Sequence, residues 1–237
     1  MKVTLRGNFR RIDPSKSAII LLDAGKRVLP SFAESISRKV VRRLEKLGVK
    51  VMTGVKVETV DDNGVIAGGK RIPSATVVWT AGVAASPIPK IKTDRAGRAL
   101  VDAFLKVVEA PGVFVVGDAA SLMQNEHPVP GVAQAAIQEG QYVGRLIAKE
   151  LKGQKVKRPF RYFDKGNMAV VGKNYAVLER DWLRTSGFLT WLVWAFVHIL
   201  SLPQLQNRLR VQHQWLWSYF TGQRSSRLIP EPHELGH

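Results

Sequence analysis

Residues 18–52 read AIILLDAGKRVLPSFAESISRKVVRRLEKLGVKVM, and this stretch decides the fold class. Ala18–Leu22 is a short, β-branched apolar run that ends in Asp23-Ala24-Gly25, as a buried strand does. Pro30-Ser31 starts a helix, with Ser31 and Glu34 spaced as a capping box. Phe32, Ile36, Val40, Leu44 and Leu47 draw one apolar stripe along it, and Arg38, Lys39, Arg42, Arg43 and Lys46 occupy the opposite face. Gly48 stops the helix, and Val49–Met52 begins the next strand. Strand, helix, strand at this spacing predicts α/β architecture with a parallel core.

Outward from this unit, Val55–Val60 and Val65-Ile66 flank Asp61-Asp62-Asn63-Gly64, a strong hairpin turn. Ala75–Thr80 reads as a further strand, and residues 81–110 as loop. Val113–Val116 reads as a tight apolar strand followed at once by Gly117-Asp118. Pro130-Gly131 opens a helix to about Leu151, with Val132, Ala136, Val143, Ile147 and Leu151 as its expected apolar stripe. Residues 152–184 carry nine Lys/Arg against three acids, with short strands expected near Phe160–Phe163, Met168–Val171 and Tyr175–Leu178. Beyond Leu183 the chain turns aromatic and amphipathic, holding five of the six Trp within Trp182–Trp217.

Composition bounds the function. The 237 residues, 45% hydrophobic and 23% charged, can bury a substantial core and are not generally disordered. With no cysteine there is no disulfide scaffold, thiolate zinc site, iron–sulfur cluster or redox thiol pair. Lys plus Arg number 36 against 19 acids, a formal charge of +17 that calls for an anionic partner: lipid head groups, nucleic acid or a phosphate-bearing cofactor. Nucleic acid is disfavoured, because the basic residues 1–16 (Arg6, Arg10, Arg11, Lys16) and the rest are spread along the chain without a reading motif. Residues 1–17 lack the apolar core of a secretory signal. Gly187–Leu202 falls short of the roughly 20 apolar residues needed to cross a bilayer and contains His198, so it reads as interfacial or buried.

Five places can carry chemistry. Asp23, at a strand end, can accept hydrogen bonds from ribose hydroxyls or simply be a solvated acid. Ala81-Gly82, after a strand, permits close approach to a flat ligand or forms a plain tight turn. Gly117-Asp118, at the end of a buried strand, can serve a polyol such as ribityl, or Asp118 can be an N-cap. Gln134 and Gln138 lie on one helix face with Gln141 and Arg145; their amides can meet the carbonyls of a quinone or flavin, or face solvent. The start of that helix offers free N–H groups and a positive dipole end. Last, Phe188, Leu189, Trp191, Leu192, Ala195, Phe196, Ile199 and Leu200, followed by Leu205, Leu209, Leu216 and Phe220, suit helices lying in a membrane interface, a core pair or a dimer contact. His127, His198, His213, His233 and His237 are scattered, so neither a metal site nor a nucleophile is assigned.

Taken together, several segments resemble the C-terminal half of type II NADH:quinone oxidoreductases, in the two-dinucleotide-fold flavoprotein family. They are Leu22-Asp23-Ala24-Gly25, Val78–Pro87 (VWTAGVAASP), Asp94-Arg95-Ala96-Gly97-Arg98, Phe114–Asp118 (FVVGD), Ala133–Gln138 (AQAAIQ) and Phe160–Ala169 (FRYFDKGNMA), continuing through Trp215–Tyr219 to Arg227-Leu228-Ile229. The resemblance implies a partial two-dinucleotide-binding-domain fold with a C-terminal membrane-associated α/β lobe. It divides the chain into the end of an NADH-binding domain (1–80), the end of an FAD-binding domain (81–151), and a membrane-anchoring and dimerisation region (152–237). It implies FAD and NADH as cofactors, with Asp118 and Gly117 at the ribityl chain and Ala133 at the isoalloxazine ring. Gln134 and Gln138 then line the meeting place of quinone and flavin, with Lys165 nearby. Asp23 takes the adenosine ribose, and Ala81-Gly82 the nicotinamide side. The implied activity is hydride transfer from NADH to FAD and on to membrane quinone, at the cytoplasmic side of a membrane, in a peripheral enzyme that forms a homodimer or joins a missing N-terminal half. No G-x-G-x-x-G fingerprint stands in the sequence, so activity is expected only when a segment carrying the phosphate cradles completes the fold. The alternative is a noncatalytic membrane-surface remnant.

Overall fold

The computed structural model describes residues 17–86 and 88–221; the basic segment 1–16, Pro87 and Arg227-Leu228-Ile229 lie outside the described residues. In chain order the elements are β1 (Ile19–Asp23), α1 (Glu34–Lys46), β2 (Val49–Thr53), β3 (Val57–Asp61), β4 (Gly64–Ala67), β5 (Lys70–Pro73) and β6 (Ala99–Leu100). A 3₁₀ turn at Gly117–Ala119 leads to β7 (Ala120–Ser121), β8 (Met123–Gln124), β9 (His127–Pro128) and α2 (Ala133–Glu150). Then come β10 (Asn167–Val170), β11 (Ala176–Arg180), β12 (Leu183–Gly187), α3 (Phe188–Ser201) and α4 (Leu205–Thr221). One compact unit takes the chain up to Val77 and again from Gly166; the other is Val78–Lys165.

In the first unit β1 and β2 pair in parallel, Ile19 opposite Val49 through Asp23 opposite Thr53, with α1 as their crossover. The stripe on α1 has a second partner. Val28, Phe32, Ile36 and Val40 share one core with Val171 and Val177, and Leu21, Val51, Ala169 and Tyr175 pack against it. The helix thus covers the parallel pair and also the antiparallel sheet β10–β11–β12. This burial unites the beginning and end of the chain, where the sequence reading places domain boundaries at 80 and 151. Arg43, expected on the solvent face, turns to this sheet: it donates to the Lys173 carbonyl at 2.9 Å and lies over the Tyr175 ring.

The expected capping box does not form. The helix starts at Glu34, and Ala33 at its N-cap has no side chain to offer. Glu179 of β11 fills the vacancy instead, accepting the Ala33 N–H at 2.6 Å while Arg184 donates to its other oxygen at 2.8 Å. A carboxylate at a helix N-terminus satisfies an orphan donor and complements the dipole.

Three further expectations differ. The meander gains a strand, β3–β4–β5, with the two-residue Asp62-Asn63 loop between paired Asp61 and Gly64. Ala75–Thr80 and Phe160–Phe163 belong to no sheet, and Val113–Val116 forms only an isolated bridge, between Phe114 and Lys106. A strand requires a neighbour for its ladder; among the described residues the first two runs join none, Val113–Val116 meets only the short stretch 105–107, and Val78 and Trp79 remain 78% and 62% exposed. On α2 the buried residues are Ala135, Glu139, Val143 and Leu146, while Ile147 and Leu151 of the expected stripe are exposed. The stripe is rotated because one of its members is a glutamate, which apolar periodicity counts as surface.

The shared core predicts that Ile36→Ala, at a fully buried position, destabilises the first unit by about 2–5 kcal/mol in denaturant unfolding. The Ala33 N–H holds the Glu179 carboxyl below its ordinary range, with Arg184 assisting. Its stabilising contribution is therefore present above the unfolded-state value and lost as pH falls through the lower folded one. Glu179→Ala should melt below the wild type at neutral pH, and the difference should close on acidification.

Candidate functional site

The second unit builds its site on α2. Its apolar side joins Leu105, Leu122, Val129 and Phe160 in one core, with Ala135 and Val143 contributed by the helix. Val132 at the N-cap provides no side-chain cap; its carbonyl accepts the Ala135 and Ala136 N–H groups, and the positive end of the helix dipole suits an anionic or carbonyl ligand.

Directly against this helix sits the Gly117–Ala119 turn. Gly117 has φ +69°, a left-handed conformation suited to glycine, and a Cβ there would stand 3.2 Å from the Ala136 Cβ. Its N–H donates to Glu139 Oε2 at 2.5 Å. Asp118 is exposed, and its Oδ1 would lie 3.2 Å from a Cβ at Gly131, just ahead of α2. The carboxylate has no hydrogen-bond partner among the described residues. Asp118 is therefore not the helix cap that the alternative reading supposed; it is an acceptor held beside a helix start. Glu139 is 2% exposed. Burial and the Asp118 charge push its carboxyl up, against the pull of the Gly117 N–H.

Gln134 and Gln138 are half-buried, and their amides are engaged with neighbouring residues. Gln138 makes a two-point amide pairing with Phe163: its Oε1 accepts the Phe163 N–H at 3.0 Å and its Nε2 donates to the Phe163 carbonyl at 3.0 Å. Gln124 on β8 does the same for Tyr162, at 2.8 and 3.2 Å. Gln134 accepts the Lys165 N–H at 3.1 Å and donates to Asp164 Oδ1 at 3.2 Å. Three glutamines thus stand in for a neighbouring strand along residues 162–165, which explains how this segment is ordered without joining a sheet. Tyr162 is held in the same group, its phenol pushed up to about 12 by burial and by Asp164. Lys165 itself is exposed at the end of this strap.

The structure brings Gly117, Asp118, Ala133, Gln134, Gln138 and Lys165 into one unit, and Ala81-Gly82 lies in that unit's exposed entry segment. Asp23 belongs to the other unit, where its Oδ1 accepts the Gly25 N–H at 2.7 Å at the end of β1. Asp94–Arg98, another segment of the resemblance, is a self-contained turn: Asp94 takes the Ala96 and Arg98 N–H groups and the Arg98 guanidinium. Sequence reasoning missed Gln124 and Glu139. Glu139 interrupts an otherwise small and apolar helix face, a signal visible only once that face is known to be buried. Among the described residues no group of His, Asp and Glu gathers to hold a metal.

These residues fit the ribityl and ring side of a flavin: an exposed acceptor, a glycine turn that admits close approach and an uncapped helix start. For its pyrophosphate the sequence contains no G-x-G-x-x-G.

The family model described as pyridine nucleotide-disulphide oxidoreductase matches residues 9–140, and that described as NDH2 C-terminal domain matches residues 165–224. The type II NADH:quinone oxidoreductases Ndh and NdhA of Mycobacterium tuberculosis are each 38% identical to this chain, covering 96% and 95% of it and 51% of their own length. The chain spans about half the length of the curated relatives it matches. The structure of NDH2 from Plasmodium falciparum in complex with NADH superposes with a TM-score of 0.78 at 17% identity, over 86% of this chain and 58% of that one, a likeness of fold.

The strap generates a prediction. Gln138→Leu removes both bonds to Phe163 and should destabilise the second unit by about 1–3 kcal/mol. It should also speed hydrogen exchange at the Phe163 amide, whereas Gln134→Leu should speed exchange at Lys165 first.

Proposed function

From the premise that the chain belongs to the pyridine nucleotide-disulphide oxidoreductase family, we propose that it is the flavin- and quinone-facing part of a type II NADH:quinone oxidoreductase. The observation that carries this reading is Asp118, exposed and without a hydrogen-bond partner among the described residues, on a glycine turn against the uncapped start of α2. Its carboxylate accepts hydrogen bonds from the ribityl hydroxyls of FAD. The start of α2 at Ala133 would hold the isoalloxazine ring, where the helix dipole favours negative charge. Bound flavin supplies the chemistry, taking a hydride from NADH and delivering two electrons to a quinone.

The chain's own residues bind and orient. Asp23 accepts the adenosine ribose hydroxyls of NADH, and Ala81-Gly82 give the nicotinamide side a backbone surface without bulk. Gln134 and Gln138 hold the main chain of 163–165, so that the strap and the helix start form the wall on which quinone meets the flavin, with Lys165 at its end. The phosphate cradles for both nucleotides belong to the length of the relatives that this chain does not span, and activity requires that remainder.

The last two helices serve as the membrane contact. No described helix is long and apolar enough to cross a bilayer. Yet α3 exposes Leu189 (75%) and Phe196 (64%), and α4 exposes Leu205 (69%) and Phe220 (81%). Stacking of Trp191 on Tyr219 and of Trp194 on Trp215 joins the two helices into one hairpin. Such a surface lies in the lipid interface, and neighbouring basic residues add roughly 1 kcal/mol each on anionic lipid. The side of attachment is the cytoplasmic one, and a second copy of the chain is the other candidate occupant of this face.

The test is reconstitution with FAD and the N-terminal half of a mycobacterial relative in mild detergent. Retained flavin bands that bleach on NADH addition, with quinone reduction, support the proposal. Vesicle binding without flavin uptake would favour the noncatalytic remnant and overturn it. Asp118→Ala should weaken flavin binding about tenfold or more, as expected for losing bonds to a charged acceptor. Phe196→Ser with Leu189→Ser should reduce sedimentation with anionic vesicles and leave flavin binding unchanged.

A further inference from the structure

Glu139 occupies the buried stripe of α2 among Ala135, Val143 and Leu146, at 2% exposure. An acid in such a place is costly unless a specific partner engages it, and a leucine would continue the stripe at no such cost. The partner is the Gly117 N–H, 2.5 Å from Oε2. One helical turn earlier Ala136 leaves little room at the same glycine, since a Cβ on Gly117 would stand 3.2 Å from the Ala136 Cβ, so the turn lies close to α2 and is hydrogen-bonded to it. Within the turn only Ala119 packs on a core, that of Ala99, Val107, Val115 and Ala120; Gly117 has no side chain, and Asp118 is exposed. The left-handed φ of Gly117 would otherwise be one of several conformations open to glycine.

We propose that Glu139 is a positioning residue for the Gly117–Asp118 turn: by holding the Gly117 N–H from inside α2, it fixes where Asp118 presents its carboxylate to polyol hydroxyls. The role in ligand binding rests on the flavin reading above; the role in holding the turn does not. Glu139 touches no ligand and acts only through Gly117 and Asp118. What matters is an acceptor oxygen at the right reach, so glutamine substitutes and shorter or apolar side chains do not.

Two measurements separate the parts of the proposal. The first uses the chain without ligand and reads amide hydrogen exchange at Gly117. Exchange should rise about tenfold or more in Glu139→Met and in Glu139→Asp, whose carboxylate is one methylene short, and stay near wild type in Glu139→Gln. The aspartate variant decides the matter should the methionine one fail to fold. Unchanged Gly117 exchange in the short variants, or equal loss in Glu139→Gln, overturns the proposal.

The second reads flavin affinity in the reconstituted protein across a double-mutant cycle with Asp118→Asn. Glu139→Asp should weaken flavin when Asp118 is present and have little further effect when it is asparagine. Additive losses would show a general structural effect and overturn the positioning role. Failure of the wild type to bind flavin would overturn the flavin reading and with it the ligand half of this proposal, leaving Gly117 exchange to decide the other half.

Discussion

Burial of one side of α1 is the constraint on which the first unit depends. A two-stranded parallel pair has little stability by itself, because parallel strands need cover on their faces. Val28, Phe32, Ile36 and Val40 provide that cover, and they can be buried fully only because Val171 and Val177 close the far side. The β10–β11 region is therefore part of the same core as α1. Ser37, buried within the helix, donates its hydroxyl to the Val28 carbonyl and ties the entering loop to the same packing.

A second regularity runs through both units: side-chain carboxylates and amides satisfy main-chain groups that secondary structure leaves open. Glu179 takes the N–H ahead of α1, Glu139 takes that of Gly117, and Gln124 and Gln138 pair with Tyr162 and Phe163. Buried or half-buried backbone donors must find acceptors. Where a run is too short or too isolated to join a sheet, a well-placed glutamine does the work of a neighbouring strand. The same device orders the strap that ends at Lys165 and the turn that carries Asp118, so the candidate site consists largely of main chain held by side chains.

The apolar surfaces divide into two kinds. On α3 and α4 the exposed residues are large, aromatic and carried by stacked helices, a surface that is itself well ordered and suits an apolar environment. At Val78 and Trp79, and at Val113 and Val116, the exposed residues lie instead on extended runs, the first without a ladder partner among the described residues and the second paired only with the short stretch 105–107. Such runs suit main-chain pairing with further strands.

Local pattern was enough wherever an element is defined by its own residues. The β1–α1–β2 unit, the hairpin turn within Asp61–Gly64, the extent of α2 within three residues at each end, and the amphipathic segment beyond Leu183 were legible from periodicity and turn chemistry alone. The position of Asp118 after Gly117 was legible as well, because a glycine-acid pair after an apolar run is a local signal. Tertiary structure decided whatever depends on a distant partner. Ser31 and Glu34 spell a capping box, yet Glu179, 146 residues from Ala33, provides the acceptor. Val113–Val116 has strand composition, but a ladder needs a second strand, which composition does not specify. Gln134 and Gln138 share a helix face by spacing, but only the path of 162–165 shows that their amides hold main chain. Glu139 counts as surface in any hydrophobic pattern, and only the placement of Gly117 gives it a partner that makes burial tolerable. The sequence by itself determined the elements whose own residues define them; the fold alone determined which polar groups meet and which apolar runs join a sheet, because those pairings join residues that no local period relates.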